Sequence, residues 1–160
     1  LFGIKSLNNR RRPVFDVTLW YWKLSLSMLI ISILIWLSNA MEDNYVLAII
    51  FALGFLYSLL QGMVYKIIPF LSWFHLTSKG YFNVPTIREF IDEKFIKYHF
   101  FLHCTAVVLF VLSYYVNSFI YLASVIFIAS NILFFINCVN GGIKYKEIAK
   151  TDPMDMSAFK

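Results

Sequence analysis

Four long apolar stretches constrain this chain more than any other feature of its sequence. A helix rising 1.5 Å per residue needs about 20 apolar residues to cross about 30 Å of hydrocarbon. The first stretch, Val17 to Leu37, is interrupted only by Lys23, whose stem can snorkel to an interface beside Trp20, Tyr21 and Trp22. The second, Tyr45 to Val64, carries no charge. Between Lys97 and Lys144 lies an uncharged run too long for one helix, with Asn117-Ser118 as its natural turn. That division predicts spans over 98–116 and 119–139, with Asn140-Gly141-Gly142 as a helix stop.

Composition points the same way. The chain is 60% hydrophobic and 14% charged, against a usual charged share of about 25%, and its mean hydropathy is +0.70. Such a chain cannot cover its apolar surface in water. A cytosolic enzyme, a disordered segment and a free nucleic-acid binder are thereby excluded, and the expected fold class is all-α, an integral membrane bundle of four transmembrane helices. The expected division is a basic segment over 1–16, a membrane domain over 17–149 and a mobile tail over 150–160. The start at Leu1, with no A-x-A cleavage site around the first apolar run, reads as the visible end of something longer.

The net charge of +5 is explained by position. All 14 Lys and Arg precede or begin helix one, lie between helices two and three, or follow helix four, whereas the opposite loops carry only Glu42 and Asp43. By the positive-inside rule both termini and the middle loop are cytoplasmic. Arg10-Arg11-Arg12 then follow from orientation and need no nucleic-acid partner. The expected partners are the lipid bilayer and other transmembrane helices or subunits.

The middle segment, 66–97, has its own pattern. Lys66 to Leu76, with Pro69, Trp73 and Phe74, either prolongs helix two past a kink or lies flat at the interface. After Gly80, Asn83-Val84-Pro85-Thr86 has the form of a helix entrance. Ile87, Phe90, Ile91 and Phe95 then separate from Arg88, Glu89, Asp92 and Glu93, which predicts a cytoplasmic amphipathic helix between helices two and three.

Polar groups inside spans are costly and are candidates for function. Lys23, Gln61, Tyr65, His99, His103, Asn137 and the two cysteines, Cys104 and Cys138, all lie within two to three turns of the cytoplasmic boundary. Four spans can therefore present polar side chains to one layer, with Lys23, Gln61, Tyr65 and Asn137 as its members beside the histidines. The same set also fits plain interhelical hydrogen bonding, as does Asn131 deeper in helix four. Tyr57, Gln61 and Tyr65 stripe one face of helix two above Lys66, either as a proton or anion path or as an interfacial anchor. His99 and His103 are four apart on one helix face and form a candidate metal pair, with His75, Cys104, Cys138 or Met63 as further donors. For haem, two histidines on one helix cannot clasp one ring, so His103 would need His75 or another chain. No phosphate loop, Ser/His/Asp set, HExxH or paired intramembrane carboxylate occurs.

The run Gly62-Met63-Val64-Tyr65-Lys66-Ile67-Ile68-Pro69-Phe70-Leu71-Ser72-Trp73-Phe74-His75, followed by Val84-Pro85, resembles a stretch near the end of bacterial polytopic proteins of the NnrS type and the haem-copper oxidase subunit I type. The resemblance implies a bacterial inner-membrane protein, the C-terminal bundle of a haem- or copper-dependent respiratory or nitric-oxide-related protein, with His75 and His103 either as ligands or as residues that support the ligands. The paired His and His-Tyr signatures of the haem-copper core are absent from this sequence. A second reading stands beside it, that of a non-enzymatic accessory or assembly subunit, or a small transporter component.

Overall fold

The computed structural model describes residues 16–38, 44–81 and 84–151. These are all-helical, forming α1 (Thr18–Ser38), α2 (Tyr45–Ser78), α3 (Glu93–Leu112) and α4 (Phe119–Ile148). Each is long and apolar enough to cross a membrane. The basic segment before Asp16, Glu42 and Asp43, Asn83 and the tail beyond Thr151 lie outside the described residues.

Local chemistry sets the helix starts. Asp16 Oδ1 accepts from the Thr18 backbone N–H at 3.0 Å and from its hydroxyl at 2.7 Å, so α1 begins with a donor satisfied that a bare helix end would orphan. In α2, residues Ile50–Tyr57 wind as a π-helix. Its wider turn lets the Ser58 hydroxyl donate to the Leu53 carbonyl at 3.2 Å. Of the two courses open to Lys66–Leu76, the structure takes the continuous one, because α2 passes through Pro69 to Ser78.

Three expectations are corrected. The amphipathic helix predicted between helices two and three is not one element. Thr86 and Glu89 form a capping box, with Glu89 Oε2 accepting from the Thr86 N–H at 3.1 Å, but it closes only the 3-10 turn Ile87–Glu89. A second cap follows at once, where Asp92 accepts from the Lys94 N–H at 2.9 Å and opens α3. Two caps so close together leave no room for a helix between them, and Phe90 and Ile91 are buried by protein. For the same reason α3 starts at Glu93 rather than Tyr98, and it ends at Leu112 in a turn through 113–118.

The third correction concerns Asn140-Gly141-Gly142, which does not stop α4. A methyl group on Gly141 would come within 3.2 Å of Ile91 Cγ1 and 3.3 Å of Ile68 Cγ2, so this glycine admits its neighbours closely. That packing offsets the helix-propensity cost of about 1 kcal/mol per glycine. At 34 and 30 residues, α2 and α4 are about 51 and 45 Å long, well beyond a bilayer's hydrocarbon. Their extra turns lie at the basic end, where the Tyr81 hydroxyl donates to the Ala149 carbonyl at 3.2 Å and the Lys144 amine donates to the Glu89 carbonyl.

The bundle hides polar side chains among its buried apolar ones and turns many of its largest apolar side chains outward. Ser25, Ser58, Gln61, His99, His103, Ser130 and Asn137 are buried, while Leu34, Leu60, Phe101 and Phe135 are more than half exposed. Helices that expose their largest apolar side chains and hide their hydroxyls and amides are matched to lipid rather than water.

Candidate functional site

Helix register brings the polar side chains together. A methyl on Gly62 would lie 2.9 Å from Tyr21 Cβ, so α1 and α2 approach closely at this level and Tyr21 reaches past α2 toward α3. Gln61 and Ser58 are separated by about one turn of α2, as His99 and His103 are on the antiparallel α3. The two pairs therefore meet as rungs. Gln61 Nε2 lies 3.4 Å from His99 Nε2, and Ser58 Oγ lies 2.8 Å from His103 Nε2.

His99 is the hub. Its Nδ1 lies 2.6 Å from the Tyr21 hydroxyl and 2.9 Å from the Tyr65 hydroxyl, and the Tyr65 oxygen accepts from Asn137 Nδ2 at 3.0 Å. The Tyr21 hydroxyl also donates to the Ile96 carbonyl at 3.3 Å. One fully buried imidazole is thus tied to all four helices, with Phe134 stacked on it at 5.2 Å. Toward the apolar side, the His103 and Tyr57 ring centroids are 5.7 Å apart, and the Tyr57 hydroxyl donates to Asn131 Oδ1.

The protons can be placed in two ways. With Nδ1 protonated, His99 donates to the tyrosine oxygens and Nε2 accepts from the Gln61 amide. With Nε2 protonated, Nδ1 accepts from the Tyr65 hydroxyl and Nε2 donates to the Gln61 carbonyl after that amide turns over. Gln61 Oε1 is buried without a hydrogen-bond partner among the described residues, so it is available for the second arrangement. At His103, a Ser58 hydroxyl that donates to Leu53 must accept from Nε2–H, which leaves Nδ1 as a buried acceptor that also lacks a partner among the described residues.

The predicted layer is therefore assembled for Gln61, Tyr65, Asn137, His99 and His103. Lys23 is not drawn in. Two residues from Tyr21, it points about 200° away around α1 and has no hydrogen bond or ion pair among the described residues. Tyr21 and Ser58 join the layer as well, Tyr21 facing inward rather than anchoring an interface. Their signal was small and polar residues at helical spacing, since Thr18, Tyr21, Ser25 and Ser32 are the buried residues of α1.

Haem or a metal ion does not fit the donors described. His75 is exposed, with its ring 5.8 Å from that of Tyr145. It lies about 25 Å along α2 from Ser58, the partner of His103, so His75 and His103 cannot share an iron. Both nitrogens of His99 and one of His103 are engaged by protein groups. Cys104 and Cys138 are free and half-buried, and among the described residues no three of His, Cys, Asp and Glu gather as a metal site. Comparison of the chain with family models, curated proteins and solved structures gave no match.

Proposed function

We propose that this chain is a multi-pass membrane protein that moves protons through the buried layer around His99, as a small transporter component or as a subunit of a larger membrane complex. The observation that carries this reading is the hydrogen bonding of His99 to Tyr21, Tyr65 and Gln61, with Asn137 next in line. A neutral imidazole passes a proton by taking one at one nitrogen and releasing one from the other, and at His99 the change of tautomer goes with the turnover of the Gln61 amide. The membrane reading is supported by the large apolar side chains exposed around a buried polar layer. The placement of basic residues supports cytoplasmic termini, in a bacterial inner membrane if the resemblance of residues 62–75 holds.

The test is proton flux into proteoliposomes containing a pH-sensitive dye. Tyr65→Phe, which keeps ring and packing, is expected to slow flux about a hundredfold or more, the lower end of the usual range for a lost proton-transfer group. Equal flux in the wild type and this variant would overturn the relay. The haem- or copper-dependent respiratory reading rests on the resemblance of residues 62–75 and would take its missing ligands from another subunit or from residues beyond those described. A Soret band or stoichiometric copper that disappears in His103→Gln would favour it.

A further inference from the structure

At the basic end, a cleft of about 460 Å³ opens between the start of α1, the inner half of α2 and the start of α3. Two acids, Asp16 and Glu93, and two bases, Lys66 and Arg88, line it. Lys66 Nζ lies 3.6 Å from Asp16 Oδ2, and these side chains are 39% and 23% exposed, so the pair can be reached by a ligand. Arg88 and Glu93 have no ion pair among the described residues. Beside this rim the lining is apolar and continues toward the basic end of α2 through Ile67 and Phe70, which stand about half exposed. The inner wall is Tyr65, and Pro69 has no N–H to give the Tyr65 carbonyl, which leaves an acceptor free of its helical partner.

We infer that this cleft is the headgroup site of a zwitterionic phospholipid bearing a primary ammonium. It rests on the membrane reading above. Balanced charges on one rim do not select an anion or a cation but a group carrying both. The phosphate lies toward Lys66 and Arg88, and the ammonium, with three N–H donors, toward Asp16, Glu93 and the Tyr65 carbonyl. A lipid brings such a group to the rim already held at headgroup height, as a soluble solute does not, and keeps its acyl chains on the bilayer side of Lys66, where Leu60 and Phe101 are more than half exposed. The height also fits, because α1 and α3 both start here, at the level where spans meet headgroups.

The test uses the full chain in detergent with an equimolar mixture of phosphatidylethanolamine, phosphatidylcholine and phosphatidylglycerol of identical acyl chains, read by native mass spectrometry. Phosphatidylethanolamine is expected to be retained about tenfold over the other two, the worth of one or two charge-assisted hydrogen bonds. Glu93→Gln should erase its advantage over phosphatidylcholine, and Arg88→Ala should weaken retention of all three lipids. Both residues lie outside the buried core, so neither variant threatens the fold, and Lys146→Ala should leave the pattern unchanged. Equal retention of the three lipids, or a preference for phosphatidylglycerol that Glu93→Gln does not alter, overturns the inference. Carbonate washing of membranes separates this failure from a broader one. Protein that stays in the pellet without lipid preference refutes the headgroup site alone, and protein released to the supernatant refutes the membrane reading as well.

Discussion

His99 has three side chains depending on it, so its replacement is a stringent test of the layer. In His99→Phe the shape is nearly kept, but Tyr21, Tyr65 and Gln61 lose their common partner. A buried polar group left unsatisfied costs about 1–3 kcal/mol, and less where a membrane lets it find another partner. The variant should therefore be less stable by about 2–4 kcal/mol, read as a lower unfolding midpoint in SDS titration, with His99→Gln intermediate. The two glycines of α2 that face α1 give a sharper comparison. A methyl on Gly62 meets Tyr21 Cβ, which is fixed to the backbone, at 2.9 Å; one on Gly54 meets the movable Met28 Cγ at 2.9 Å and the fixed Met28 Cβ only at 3.1 Å. Gly62→Ala is expected to cost about 1–3 kcal/mol and to reduce proton flux by displacing Tyr21, while Gly54→Ala should cost less on both measures.

Elements place these residues through features that break simple helical rules. The π-helical turn at Ile50–Tyr57 shifts the register so that Ser58 faces both Leu53 and His103. Beyond Pro69, α2 continues because Leu76 is fully buried and Ile68 packs against Gly141 of α4, so tertiary contact compensates for the missing backbone bond. The connection over 84–92 is held to α4 by Ile91 against Gly141 and by the Lys144 contact to Glu89. Ile91→Asp would bury a carboxylate against apolar side chains at a cost above about 3 kcal/mol. Trypsin should then cut at Arg88 at least several-fold faster than in the wild type. Unchanged cleavage would mean that Ile91 faces lipid or water instead.

For the whole molecule, the testable quantity is orientation. If the basic residues mark the cytoplasmic side, a single cysteine introduced at Asn117, with Cys104 and Cys138 replaced by Ser, reacts with an impermeant maleimide added outside intact cells. One placed at Lys146 should react only after the membrane is opened. Reversed labelling would place the His99 layer in the outer half of the bilayer and direct any proton path the other way.

The number and apolar character of the helices were legible in the chain because a span needs only length and the absence of charge, which are local properties. Gln61, Tyr65, His99, His103 and Asn137 could likewise be assigned to one depth, since rise per residue converts position into height. Which way each of them faces is a different matter. On lipid-matched helices apolar residues occur all round, so hydrophobic periodicity cannot mark the inner face, and the surviving signal is the spacing of small and polar residues such as Ala123, Ser130 and Asn137 on α4. Tertiary contact alone decided that Tyr21 turns inward and Lys23 does not, that His75 stands far from His103, and that Gly141 continues a helix rather than ending one. Each depends on how closely one backbone approaches another, and that distance is set by the partner helix, not by the residue's own neighbours in the chain.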